Sequence, residues 1–369
     1  GPARHNRTMR TLYVAAGGGG DAVGALLARR ALGDTDERPP LVTTCAWERL
    51  RIDPVPGPRA RSDFTGLGLI GGEPCEVLPT SDTIPPGRSV LPRLAATSSA
   101  RIFLHDFVGG AVDLSAHLQR LALSLNVDKL VVVDVGGDIV AKGPEPELLS
   151  PLADSLTLAA ALRVGLPTTV VVLGPGVDAE LTEETVISIL LGRVEASVVG
   201  VISAEDIRDL GAVLAWHPTE ATALVAAGAV GTRGTVAMRR LRAPVPITNH
   251  SPEVWAVNEA TIDSFPLARM LQGSTTMHDA EKIMRDFAVN EIDFERSVAQ
   301  GPRRSRSVGD LRQLVSTMSA IGANLTTTRH LADSVGPEVL SQLAKDSNSP
   351  ANSLWPLEWL RDWCRRGQE

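Results

Sequence analysis

At 369 residues the chain exceeds what one hydrophobic core usually organises, and 43% apolar with only 4% aromatic residues describes cores of Ala, Val and Leu without a membrane-length apolar run. A formal charge of −7 gives no overall attraction for nucleic acid or anionic lipid. Cys45, Cys75 and Cys364 form no C-x-x-C pair, which argues against a zinc site or a disulfide framework and for a reducing, cytoplasmic setting.

In chain order, Gly1 and Pro2 look like a cleavage scar, and Ala3 to Arg10 like a disordered leader without the apolar core of a signal peptide. Short β-branched runs then alternate with amphipathic segments. Strands are predicted at 11–16, 40–45, 100–107, 129–135, 168–174, 196–203 and 245–249, and helices at 21–32, 113–126, 150–165, 182–194, 204–214 and 218–228. Several of the strands are apolar at every position, as strands covered on both faces must be. This alternation predicts an α/β fold over 11–260, a doubly wound, mostly parallel, Rossmann-like sheet.

Residues 46–98 interrupt the rhythm with Pro, Gly and charge, and are expected to form a structured excursion near the working face. From 261 to 369 the pattern is helical, which predicts an additional C-terminal helical part packed on the α/β domain, with a basic patch "GPRRSRS" at 301–307. Trp355, Trp359 and Trp363 recur every four residues. On one helical face they would dock the last helix onto the body or form a homo- or hetero-oligomer interface.

"YVAAGGGGDAVGAL" places Gly17, Gly18, Gly19 and Gly20 between a strand and a helix that opens with Asp21. Such a loop turns backbone N–H groups and a helix N-terminus toward an anion, and phosphate or sulfate would fit. Gly17, Gly19 and Ala22 only approximate a dinucleotide fingerprint, and no Walker lysine follows. The plainer alternative is a tight strand-to-helix turn with Asp21 as a cap.

In "VVVDVGGDIV" a strand runs straight into Asp134, Gly136, Gly137 and Asp138, at the carboxyl end where open α/β sheets bind ligands. Asp134 and Asp138, with Glu145, Glu147 and Asp154 downstream, offer oxygen ligands for Mg²⁺ or a means of orienting a hydroxyl or amine. Otherwise Asp138 and Ser150 merely cap turns and helices. "VLGPGVDAE" puts Gly174, Gly176, Asp178 and Glu180 in the same layer. "FLHDF" ends another strand with His105 and Asp106, candidate proton carriers, whereas His217 and Glu220 of "WHPTEAT" take a structural reading with Thr219 as a cap. No G-x-S-x-G, H-E-x-x-H or C-x-x-C supports acyl-enzyme or zinc chemistry.

The stretches "GGGGDAVGA" (17–25), "WERLRIDPVPGPR" (47–59), "DVGGDI" (134–139), "SPLADSLTLAA" (150–160) and "GPGVDAEL" (174–181) resemble an uncharacterised family of archaeal and actinobacterial proteins, domain-of-unknown-function family 1152. That resemblance implies no chemistry. Locally, "GGDAVGALLARRA" and "VGGD" are similar to the phosphate loops of phosphofructokinases, but Ile139 stands where those have Gly, Ser or Thr. "GGGGDA" is similar to the ATP-pyrophosphatase loop, with Gly17 and Ala22 in place of its serines.

The expected function is an enzyme of small-molecule, including specialised natural-product, metabolism. It would hold a phosphate or sulfate of its substrate on Gly17–Gly20 and catalyse transfer or displacement beside Asp134 and Asp138, with His105 or Asp106 as proton acceptor. The competing expectation is a non-catalytic nucleotide-binding or scaffold subunit whose tryptophan-bearing tail engages a partner. Neither a membrane nor nucleic acid is an expected partner.

Overall fold

In each central strand successive side chains point to opposite faces, so an apolar run must feed two layers of packing. Leu12, Val14, Leu130 and Val132 enter one core, and Tyr13, Ala15, Val131 and Val133 the other, on the opposite side of the sheet. The computed structural model describes residues 9–238, 243–300, 308–347 and 354–366. The leader residues 1–8 and the basic patch 301–307 lie outside these described residues. Arg10, assigned to the leader from sequence, is buried, its guanidinium 2.8 Å from Asp36.

A nine-stranded sheet runs in the order Ser197–Val201, Glu253–Val257, Thr168–Leu173, Lys129–Val135, Thr11–Ala15, Leu41–Cys45, Arg101–His105, Glu73–Val77, Gly68–Ile70. The five strands from Thr168–Leu173 to Arg101–His105 are parallel. Numbered in chain order among themselves they run 3-2-1-4-5, the Rossmann arrangement. The order reverses between Thr11–Ala15 and Lys129–Val135, and a ligand crevice belongs at the carboxyl ends of those two strands. Helices Gly19–Ala31, Gly110–Ser124 and Pro151–Ala161 cover the two faces. Gly24 lets the first of them lie against Lys129–Val135, because a Cβ there would stand 2.2 Å from Val135 Cγ2.

Departures from the sequence expectation fall at the sheet edges and the C-terminus. The excursion supplies Gly68–Ile70 and Glu73–Val77, which extend one edge antiparallel. At the other edge Glu253–Val257, not anticipated, inserts antiparallel between Thr168–Leu173 and Ser197–Val201, leaving Val198 and Val201 exposed rather than covered on both faces. Val245–Ile247 belongs to a second sheet, in the order Val245–Ile247, Gly234–Ala237, Leu325–Thr327, Leu354–Pro356.

Helices Pro266–Leu271, Met277–Phe287 and Glu291–Ala299 pack on the α/β body through Phe265, Leu271, Met284 and Ile292. From Val308 onward Leu311, Val315, Leu331, Leu343 and Leu360 gather around Trp355 in a third core that also takes in Ala237, while Leu325 and Leu354 pack against the α/β core. Two strands lie in this part, so it is not purely helical. Trp355 sits in the strand before the last helix and donates to Thr328 Oγ1 at 2.9 Å, and Trp363 donates to Asp346 at 2.7 Å. The three tryptophans thus bind the C-terminal unit to itself and not one helix to the α/β body. Among the described residues no helix is long and apolar enough to cross a membrane.

Candidate functional site

A cavity of about 1030 Å³ opens at the switch point of the sheet. Gly17–Gly20 form its floor, the start of the excursion from Trp47 to Ile52 one wall, and the helix Glu291–Ala299 another; Arg329, Asp333 and Glu338 reach in from the C-terminal unit.

The four glycines differ in what they do. None has the positive φ that would demand glycine, so only close approach could require it. A Cβ on Gly17 would lie 2.9 Å from Asp21 Oδ2, and one on Gly18 2.8 Å from the Trp47 carbonyl oxygen. On Gly19 it would meet only Val90 at 3.5 Å and His217 Nε2 at 3.6 Å, ordinary contacts. Gly17 and Gly18 are therefore tightly packed, Gly19 meets only ordinary contacts, and Gly20 lies under Thr219, whose Oγ1 would stand 3.2 Å from a Cβ there. The helix begins at Gly19, so its first amides have no intrahelical acceptor and carry the positive end of its dipole.

Asp21 folds back to accept the Gly17 amide at 2.7 Å. Its carboxylate, with those of Asp134 and Asp154, makes a cluster whose oxygens lie within 4.8 Å of one another. Asp134 ends the strand Lys129–Val135, and Asp154 sits in the first turn of Pro151–Ala161; both are buried. Asp138 opens the next turn, buried beside Asp134, and donates its amide to Asp178 at 3.3 Å. Loss of water raises the pKa of Asp21 to about 7. The same cause, then the charge of neighbouring acids, pushes Asp134, Asp138, Asp154 and Asp178 well above the usual carboxylate range. Twelve carboxylates line the cavity against three arginines, Arg49, Arg51 and Arg329. So many buried acids can be accommodated only by protons or by a bound cation.

Other anticipated residues lie elsewhere. Gly136, Gly137, Gly174 and Gly176 do not line the cavity; all have positive φ and form tight turns behind it, Gly136 leaving room for Asp178 and Gly176 for the backbone of Glu183. Glu145 caps its own loop by accepting the Lys142 and Gly143 amides, each at 2.7 Å. Glu180 does border the cavity, but accepts the Leu149 and Ser150 amides at 2.8 Å and so holds the turn that leads into the helix carrying Asp154. His105 is fully buried outside the cavity, held by Thr43 Oγ1 at 3.0 Å, with burial lowering its pKa to about 3. Asp106 is paired with Arg61 at 3.0 Å. Neither reaches the aspartates, because their strand lies two places from the switch point.

The structure adds residues that sequence reasoning passed over. Glu48 is buried and accepts the Val90 amide at 2.9 Å. Glu291 is buried with Oε2 unpartnered among the described residues, and burial holds its pKa well above the usual range. Glu295 accepts from Trp47 Nε1 at 3.1 Å and the Gly57 amide at 2.8 Å, fastening the excursion over the floor. His217, given a structural reading from the sequence, is buried with both ring nitrogens unpartnered among the described residues. The presence of "WERLRID" in the resemblance was the available signal for Glu48; Glu291 and Glu295 carried none.

These features define an α/β protein with an acidic cavity at the switch point of a Rossmann-like sheet. The chain belongs to the DUF1152 family, described as a protein of unknown function, whose profile matches residues 12–299. The match takes in the excursion, the aspartates and the helix Glu291–Ala299, and ends before the C-terminal unit. No curated protein and no solved structure matches the chain.

Proposed function

We propose that the protein is a cytoplasmic enzyme that binds a divalent cation such as Mg²⁺ on Asp21, Asp134 and Asp154 and, beside it, the phosphate of a small-molecule substrate on the first amides of the helix Gly19–Ala31. The reaction is group transfer or displacement at that oxyanion. The observation that carries this reading is the carboxylate cluster, with its oxygens within 4.8 Å of one another, directly against a helix N-terminus at the switch point. Oxygen ligands of this kind suit Mg²⁺, which retains waters and takes the remainder of its shell from phosphate. An oxyanion alone would be repelled by the acids around it, whereas a cation bridging both removes the conflict. Metal and amides together would stabilise negative charge developing on the transferring group. Asp138, buried beside Asp134 and lining the cavity, is the nearby carboxylate that would take a proton from an attacking hydroxyl or amine once a bound cation offsets the surrounding negative charge. The three cysteines, free and buried, support the reducing compartment.

The test is Mn²⁺ binding followed by electron paramagnetic resonance. One tight Mn²⁺ is expected, competed by Mg²⁺ and weakened at least about tenfold in Asp134→Asn and Asp154→Asn, since each loses a charged ligand. Undiminished Mn²⁺ binding in both folded variants refutes the metal assignment.

A further inference from the structure

The segment His217–Glu220 supplies side chains to the cavity wall facing the glycine floor. His217 is 2% exposed, and neither Nδ1 nor Nε2 has a hydrogen-bond partner among the described residues. A buried polar group left in this way costs free energy unless a ligand satisfies it. Its Nε2 lies 3.6 Å from the point where a Cβ on Gly19 would stand, over the first turn of the helix. Thr219, also buried, has its hydroxyl 3.2 Å from the corresponding point on Gly20. That oxygen already accepts the Thr222 amide at 3.3 Å, so its proton is available to donate. Pro218 between them contributes no backbone N–H to the wall.

We infer that His217 and Thr219 are substrate-binding residues that, with the amides of Gly19 and Gly20, complete a four-donor seat for a tetrahedral phosphate. The inference rests on the oxyanion reading proposed above and adds the side chains that select the ligand. Desolvation keeps the imidazole neutral, so His217 acts as an N–H donor and not as a counter-charge. A Cβ on Gly19 would meet Val90 at 3.5 Å and His217 Nε2 at 3.6 Å, so any side chain longer than alanine's would enter the space beside His217.

The test uses the full chain, ¹⁵N-histidine labelled, titrated with inorganic phosphate in excess Mg²⁺. A phosphate-dependent shift of the His217 ring nitrogens is expected, with phosphate affinity falling about 10- to 100-fold in His217→Phe and about tenfold in Thr219→Val, the loss expected for hydrogen bonds to a charged group. Mn²⁺ affinity should be unchanged in both. Because the ring shift is read on the unaltered protein, it holds even if a variant fails to fold. Phosphate binding without a His217 shift, and with undiminished affinity in folded His217→Phe, overturns the seat while leaving the metal site standing. Absence of phosphate binding altogether overturns both the seat and the oxyanion reading; absence of Mn²⁺ binding is the separate failure of the metal assignment.

Discussion

Replacing Glu48 with glutamine should remove a defined part of the loss of stability that accompanies rising pH. Glu48 is 6% exposed, and its Oε1 accepts the Val90 amide at 2.9 Å and the Ser89 hydroxyl at 3.2 Å. Desolvation, the largest cause, raises its pKa from 4.5 to about 7, with the charge of Asp53 adding to it. The folded state therefore holds this proton more tightly than the unfolded chain. Its contribution to stability is fully present below pH 4.5 and is lost as the pH climbs through about 7. At about 1.4 kcal/mol per pH unit, the difference amounts to about 3 kcal/mol. Glutamine keeps a carbonyl oxygen for both donors and has no charge to bury. Urea unfolding without divalent cations at pH 5 and pH 8 reads the effect. Wild type should lose about 2.5 kcal/mol more than Glu48→Gln across that interval, because part of the effect is already lost at pH 5, the other acids cancelling in the comparison. Equal losses in the two proteins would show that Glu48 titrates normally, and the desolvation argument for this wall of the cavity would fail.

The packing argument for Gly24 predicts that Gly24→Ala, which brings a methyl to 2.2 Å from Val135 Cγ2, destabilises the fold by about 1–3 kcal/mol in denaturant unfolding; a neutral result would mean that helix and strand are not in close contact. Glu180→Gln should cost about 1–2 kcal/mol, by weakening the hold on the turn before Pro151–Ala161, yet leave Mn²⁺ affinity unchanged, which separates a structural acid from the three clustered ones. Glu295→Ala removes the acceptor shared by Trp47 and Gly57, and should speed limited proteolysis within residues 46–98 while costing about 1–3 kcal/mol; an unaltered cleavage rate would mean the excursion is held by other contacts.

The parallel sheet was legible because continuous apolar runs such as "KLVVVDV" report burial on both faces within a few residues of chain. The glycine floor, Asp134 and Asp138 were legible for the related reason that a strand ending in Gly and Asp marks a ligand-facing edge. His105 and Asp106 carry the same local signature, but sheet order puts their strand two places from the switch point, and order is set by long-range pairing. Short strands such as Leu325–Thr327 and Leu354–Pro356 have too few residues to show a period, so helical periodicity masked them. The pairing of Asp21 with Asp134 and Asp154 joins residues from three separate elements, and Glu48, His217 and Glu291 reach the cavity from still more distant parts of the chain. By itself the sequence determined which central strands are buried on both faces and which strand ends carry Gly and Asp, because hydrophobic period and turn chemistry act over a few residues. Only the tertiary structure decided which acids share one cavity, that Gly18 packs against the Trp47 carbonyl while Gly19 and Gly20 lie beneath His217 and Thr219, and that His217 has no hydrogen-bond partner among the described residues, because each of these depends on groups brought together by the packing of remote elements.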